Sequence, residues 1–149
     1  MQLRKLFCLA IGAGSLAACA TTPDLSPDER ALVSSEWALV SIMDDNEDVR
    51  LRPQFSERHV LNFEADGSLY IQLDCNRGNA DWRAYPGSAG SGDLSIGPVA
   101  STRALCPEPS YGERLASALP GATGYRVTPG VGALTIITQD AVFGFEALP

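Results

Sequence analysis

Short β-forming segments, separated every few residues by turn signals, occupy the sequence from residue 36 to its end. Residues 59–64 and 68–74 flank Ala65-Asp66-Gly67, which is typical of a β-hairpin turn. Apolar side chains alternate along both segments, so one face of each strand is expected to be buried. Eight or nine such segments predict one antiparallel barrel or sandwich. The other predicted strands are 36–43, 80–85, 94–96, 99–103, 125–128, 133–138 and 142–147.

Two segments have helical patterns instead of strand patterns. Ser26 with Glu29 three positions later indicates a capping box and a short helix that ends near residue 33. Ser110 and Glu113 have the same spacing, and the apolar residues that follow share one helical face. The sequence therefore predicts a second helix over 111–119, packed on the sheet or closing one end of a barrel.

The first 18 residues have the features of a secretory signal. Arg4 and Lys5 precede an apolar run that is too short to cross a bilayer as a helix. Leu16-Ala17-Ala18-Cys19 resembles the lipobox of bacterial lipoproteins, which implies cleavage before Cys19 and attachment of a diacylglycerol and an acyl chain such as palmitate. Two or more chains give stable anchoring. Because alanine and not aspartate follows Cys19, the expected location is the periplasmic face of the outer membrane.

The chain is predicted to comprise a signal peptide over 1–18, a lipid-anchored tether with a short helix over 19–34, and one domain over 35–149. Acidic residues outnumber basic ones 18 to 11, which argues against a nucleic-acid partner. Loss of Arg4 and Lys5 with the signal would leave nine arginines against 18 acids, a net charge of −9. We expect a monomeric domain that contacts the membrane through its lipid and binds an envelope protein that the sequence does not identify.

Two cysteines, Cys75 and Cys106, remain after the signal and the lipidated Cys19 are set aside. They lie at ends of predicted strands and would face an oxidising compartment, which predicts a disulfide. Closing a loop of about 30 residues would stabilise the fold by about 3–4 kcal/mol. The alternative is a catalytic thiol with His59 as its base. Such a thiol needs a lowered pKa and an orienting partner, whereas His59 opens a predicted strand well before Cys75.

The segments around these cysteines resemble the META domain, also called the HslJ-like domain. Asn76, Arg77, Thr102 and Arg103 belong to the matching motifs, and Asp74 stands where the family often has glycine. The resemblance covers about 35–147 and implies a mainly β, compact antiparallel barrel, lipocalin-like, with a helix between the Cys106 segment and the last three strands. It implies envelope stress resistance and no enzymatic activity. The motifs are Cys75-Asn76-Arg77-Gly78, Leu94-Ser95-Ile96-Gly97-Pro98-Val99-Ala100 and Thr102-Arg103-Ala104-Leu105-Cys106.

No residue set predicts a metal site or a cofactor. Asp44, Asn46 and Asp48 match the first ligands of an EF-hand loop, but Val49 and Phe55 occupy the positions that need glycine and glutamate. We therefore interpret this acidic stretch as a solvated loop. The lone histidine, at position 59, is interpreted as packing at a strand start, and the glycine-rich run 87–92 as a hairpin tip, because it lacks the lysine of a phosphate loop.

Arg77, Arg83 and Arg103 lie in or near the two cysteine segments and could together hold an anion. The interpretation that we favour pairs them with Asp74, Asp81 and Asp93.

The leading functional hypothesis is a non-enzymatic outer-membrane lipoprotein that acts in envelope stress resistance or envelope integrity through protein contacts. The alternative is a small-ligand-binding barrel whose interior is lined by Trp37, Trp82, Tyr85 and the phenylalanines, because barrels of about eight strands can hold one small ligand.

Overall fold

The computed structural model describes residues 24–128 and 130–149. The predicted signal peptide, the start of the tether and the lipidation site Cys19 lie outside these residues. Within them, no helix is long and apolar enough to cross a membrane. In chain order the elements are α1 (Pro27–Val33), β1 (Glu36–Asp44), β2 (Asp48–Arg50), α2 (Pro53–Ser56), β3 (His59–Phe63), β4 (Ser68–Leu73), β5 (Asn76–Pro86), β6 (Ser91–Ile96), β7 (Ala100–Ser101), α3 (Gly112–Ala118), a 3₁₀ helix (Leu119–Gly121), β8 (Ala122–Thr128), β9 (Ala133–Thr138) and β10 (Ala141–Ala147).

Eight of the strands close into an antiparallel barrel. Their order around the ring is β1, β3, β4, β5, β6, β8, β9 and β10, and β10 pairs with β1 to complete the ring. The two shortest strands lie beside this ring, with β2 paired to β1 and β7 paired to β5. The mainly β antiparallel barrel, with a helix before the last three strands, is confirmed.

The alternating pattern places one side chain in two inside the barrel. Along β4, for example, Leu69, Ile71 and Leu73 are buried, and the residues between them are exposed. The interior is filled by side chains, among which the rings of Phe63 and Trp82 meet edge to face with centroids 5.1 Å apart. Trp82 is therefore a core residue and does not border an open cavity.

Helix α1 packs at the end of the barrel formed by β3, β5 and β8. Its predicted capping box is present: the Glu29 amide donates to Ser26 Oγ over 3.2 Å, and the Ser26 amide donates to a Glu29 carboxylate oxygen over 2.8 Å. Leu32 is fully buried, and its carbonyl accepts a hydrogen bond from the Trp37 indole over 2.8 Å. This helix thereby connects the tether to the core.

Helix α3 spans Gly112–Ala118 and is shorter than the predicted 111–119. The predicted capping box at Ser110 is wrong, because Tyr111 is the N-cap residue and no side chain caps the helix. A Cβ atom on Gly112 would lie 2.5 Å from the carbonyl oxygen of Leu73, so the helix starts in direct contact with the end of β4. Leu115 is fully buried and fixes the inner face of α3.

Several boundaries differ from the predicted ones. Strand β5 begins at Asn76 and not at 80, and neither β2 nor α2 was predicted. The predicted acidic loop is the tight turn between β1 and β2, where Asp44 Oδ1 accepts the amides of Asn46 and Glu47 over 2.8 Å each. The glycine-rich run 87–92 lies at the β5–β6 turn, as predicted.

Candidate functional site

An open groove of about 570 Å³ lies between segment 98–106 and α3; we call it the α3 groove. Leu73 and Ala116 contribute apolar surface on one side, and Val99 and the fully exposed Leu105 belong to the segment on the other side. The charged side chains that border the groove are Arg103, Glu108 and Glu113. The site is therefore an open cleft whose floor reaches the core residue Leu73.

The predicted disulfide between Cys75 and Cys106 is confirmed, with the two Cα atoms 5.6 Å apart. Cys75 lies in the turn between β4 and β5, and Cys106 ends the segment that forms one wall of the α3 groove. The bond thus fixes this wall to the barrel. In the bonded state neither sulfur is a free thiol, so the structure gives no support to the alternative of a catalytic thiol.

The Asn76 side chain holds the same segment through hydrogen bonds. Its Oδ1 accepts from the Ala104 amide over 2.7 Å and from Thr102 Oγ1 over 2.9 Å. Its Nδ2 donates to the Ala104 carbonyl oxygen over 2.9 Å. The carboxamide therefore pairs with Ala104 through one donor and one acceptor, as a neighbouring strand would. This pairing explains why the cysteine motif carries asparagine beside Cys75 and threonine four positions before Cys106.

Replacing Asn76 with aspartate is expected to lower the free energy of unfolding by about 1–3 kcal/mol, because a carboxylate cannot donate to the Ala104 carbonyl oxygen. Amide hydrogen exchange at Ala104 should also become faster. Urea unfolding and hydrogen exchange measure the two effects. The matched control is Asn79→Asp on the same strand, where the exposed side chain makes no hydrogen bond within the described residues. Equal losses in the two variants would contradict the role of Asn76.

Arg77 and Thr102 also attach the segment to β5, through hydrogen bonds that involve their backbone amides. The Arg77 amide donates to Thr102 Oγ1 over 3.1 Å, and the Thr102 amide donates to the Arg77 carbonyl over 3.0 Å. The side chains of Arg77 and Arg103 belong to exposed residues. The sequence motif therefore marks the attachment of the segment to β5, whereas these two arginine side chains remain at the surface.

The favoured pairing of Arg77, Arg83 and Arg103 with nearby aspartates is wrong. Within residues 24–128 and 130–149, the ion pairs are Arg58 with Asp74, and Arg114 with both Asp44 and Glu47. An exposed ion pair is only slightly lower in free energy than the two separately hydrated charges. Proximity in sequence is therefore not enough to bring these arginines and aspartates together.

The Arg114 pairs join α3 to the β1–β2 turn. The amides of Asn46 and Glu47, followed by Arg114, hold the pKa of Asp44 below its usual value.

Asp74 occupies a backbone conformation that favours glycine. Its φ is +65°, and it is the first of the two residues that connect β4 to β5. This geometry accounts for the glycine that the family often has there. The aspartate side chain is buried and pairs with Arg58, while its second oxygen, Oδ2, is buried without a hydrogen-bond partner among the described residues.

His59 is fully buried at the start of β3, which confirms its predicted packing role. Its Nε2 accepts the Tyr111 amide over 3.1 Å, so the proton is on Nδ1, which donates to the Phe55 carbonyl over 2.7 Å. Both nitrogens of a neutral ring are thereby used. Burial lowers the pKa of His59 below its usual value. This side chain connects α2 to Tyr111, the N-cap residue of α3, and so supports one side of the groove.

The profile of the META domain matches residues 30–147. The chain belongs to the META domain family. Two solved structures are similar to this META-domain chain. One is a DUF4847 family protein from Bacteroides vulgatus, with 16% identity, a TM-score of 0.55 and coverage of 79% of this chain and 95% of that one. The other, from Burkholderia xenovorans, has 16% identity, a TM-score of 0.58 and coverage of 98% and 99%.

At this level of identity the similarity to the two structures concerns the fold alone. Among curated proteins, none has a sequence that matches this META-domain chain significantly. Within the part of the chain that the structure describes, no group of three or more His, Cys, Asp or Glu residues could hold a metal ion.

The sequence predicts the residues that fix the groove wall but not the α3 groove itself. The groove depends on the position of α3 beside the segment that follows β6, and this is a contact between distant elements. One signal was present: residues 102–107 have no apolar alternation, and Leu105 is the one large apolar residue among them. A large apolar residue in a segment with no buried face indicates a surface contact.

Proposed function

We propose that this META-domain protein is a non-enzymatic lipoprotein at the periplasmic face of the outer membrane, acting in envelope stress resistance or envelope integrity. In this proposal another envelope protein binds at the α3 groove. The observation that carries the proposal is Leu105, whose side chain is fully exposed although the segment that bears it is held by a disulfide and by Asn76. The lipobox-like sequence at Cys19 supports the location.

Rigid presentation of an apolar side chain favours binding. A flexible loop must lose conformational freedom when it binds, whereas segment 102–106 is already ordered by its hydrogen bonds to Asn76 and by the disulfide. An exposed apolar group beside a groove is also typical of a protein-contact surface. These two features support a binding role and require no chemical step.

The alternative of a ligand inside the barrel has less support. The two tryptophans proposed to line such a cavity, Trp37 and Trp82, are 2% and 5% exposed and belong to the packed core, and Tyr85 is 56% exposed on the outer surface. The volume of the α3 groove does lie within the usual range for small-molecule sites. A small ligand would therefore bind in the same groove and compete with a protein partner.

One experiment in living cells tests both the anchor and the contact. A photo-crosslinking amino acid is placed at Leu105 of the full-length protein, and the cells are supplied with a labelled fatty acid. We expect label on the protein, loss of that label in the Cys19→Ala variant, and a crosslinked adduct of higher mass at position 105. The same crosslinker at Val131, which is also largely exposed, is the matched control and should give no such adduct.

Either part of the proposal can fail separately. An unlabelled wild-type protein would contradict the lipid anchor. Partner binding at the α3 groove would be contradicted if no adduct formed at position 105. It would also be contradicted if adducts were equally abundant at positions 105 and 131.

A further inference from the structure

Strand β7 has an unpaired edge that faces the α3 groove. Among the described residues, those of β7 pair with β5 alone, through Ala100 with Asn79 and Ser101 with Gly78. The Thr102 amide donates to the Arg77 carbonyl and therefore points toward β5. Because backbone groups alternate in direction along a strand, the amide and carbonyl of Ser101 point the opposite way. Ser101 also borders the groove, so its backbone donor and acceptor lie at the groove wall.

Strand β7 and helix α3 lie on opposite sides of the groove. Ser101 borders it on one side, and Glu113, Ala116 and Ser117 border it on the other. Among the described residues, β7 has no second neighbouring strand beside β5. An unpaired strand edge beside a helix is a geometry that accepts an extended peptide as an added strand.

The polar edge and the apolar surface together select the kind of occupant. A peptide in extended conformation has amides and carbonyls that can pair with Ser101, and alternate side chains that can contact Val99 and Ala116. A lipid chain could cover the apolar surface but would leave the Ser101 amide and carbonyl without partners. The groove chemistry therefore favours a polypeptide.

The charges indicate which polypeptide. Two acids, Glu108 and Glu113, border the groove with a single cation, Arg103. The predicted mature chain carries nine arginines against 18 acids, so a second copy would be repelled. We propose that the α3 groove binds an extended segment of another protein, with apolar side chains and at least one lysine or arginine, as an additional strand on β7. The proposal rests on the proposed function and specifies the chemistry of its partner.

The test uses a displayed library of short random linear peptides, selected on the full-length protein in detergent. We expect the selected peptides to combine apolar residues with lysine or arginine, and their glutamate-substituted versions to bind about tenfold more weakly. The Ser101→Pro variant removes the outward amide and should also weaken binding about tenfold. Proline is tolerated on the free side of an edge strand, so this variant should remain folded.

Arg50→Pro is the matched control, because Arg50 has an outward amide on β2, the other strand with a single neighbour. This variant should bind the peptides as the wild type does. As a second measurement, the selected peptides are N-methylated at alternate positions and should then lose affinity for the wild-type protein. The protein is unchanged in this test, so a loss of affinity does not come from misfolding.

Failure to select any peptide would overturn the inference, as would equal binding by Ser101→Pro or by the N-methylated peptides. These results are distinct from failure of the proposed function. If adducts form at Leu105 but Ser101→Pro binds peptides normally, a partner binds at the groove without adding a strand to β7. In that case only the further inference is wrong. If no adducts form at Leu105, the proposed partner binding at the groove is itself wrong.

Discussion

Replacing both Cys75 and Cys106 with serine is expected to lower the free energy of unfolding by about 3–4 kcal/mol. The two residues are 31 positions apart, and the bond between them restricts the unfolded chain over the whole of β5, β6 and β7. A loss of this size is a large fraction of the stability of an ordinary domain. Because Cys106 ends the wall of the α3 groove, peptide binding should weaken as well.

Urea unfolding of the full-length protein measures this loss under oxidising and reducing conditions. A reductant should destabilise the wild type to the level of the double serine variant and leave that variant unchanged. The comparison separates the bond from any effect of serine itself, because the reduced wild type keeps both cysteines. A difference below about 1 kcal/mol would show that the hydrogen bonds of Asn76 suffice to hold the segment.

The second large effect is expected at His59. His59→Phe keeps a planar ring in the core but removes both hydrogen bonds. The Tyr111 amide then loses its acceptor, whereas the Phe55 carbonyl still accepts the Arg58 amide over 3.2 Å. A partly buried donor without a partner costs about 1–3 kcal/mol, so the expected loss of unfolding free energy is about 1–3 kcal/mol at pH 7.5. Urea unfolding at that pH measures it. A loss below about 1 kcal/mol would contradict the role assigned to this ring.

The same side chain predicts a dependence of stability on pH. Burial holds the pKa of His59 in the folded protein below its usual value of 6.5. As the pH falls below 6.5, the unfolded chain therefore takes up a proton before the folded protein does, and stability declines. The stabilisation is complete above pH 6.5 and is lost as the pH falls toward the folded pKa. Protonation would also place an N–H on Nε2 against the Tyr111 amide.

His59→Phe should remove this decline, and the wild type and variant compared between pH 7.5 and pH 5 provide the measurement. Asp44 and Asp66 also have lowered pKa values, with a usual value of 3.8. Their stabilising effect is present above pH 3.8 and is lost below it, so both carboxylates contribute little to a comparison between pH 7.5 and pH 5. An unchanged decline in the variant would assign the pH dependence to another group.

The sequence predicted the parts of this fold that depend on local pattern. Alternation of apolar residues gave most strands and the antiparallel barrel, and the first capping box at Ser26 formed as expected. The second, at Ser110, failed because the Ser110 amide donates to the Glu108 carboxylate over 3.1 Å and not to Glu113, and because the helix begins at Gly112 with Tyr111 as its N-cap. A capping pattern contains no information about such a competing acceptor nearby in the chain.

The candidate site was predictable only in its covalent and motif features. Cys75, Cys106 and Asn76 could be recognised from their spacing, and the structure brings all three together. The ion pair of Arg58 with Asp74 could not, because it depends on the close approach of β3 to the β4–β5 turn. The groove was missed for a similar reason, since it requires α3 to lie beside segment 98–106 and the end of β4.

The way in which segment 102–106 is attached has a consequence for how such a protein diversifies. Every bond that fixes the segment uses Asn76, Thr102, the Ala104 backbone or Cys106, and none uses the side chain of Arg103 or Leu105. Substitutions at positions 103 and 105 therefore change what the surface presents without disturbing how the barrel folds. One scaffold can in this way acquire new partners through two positions, while selection for folding acts on the residues that alternate with them and on Asn76.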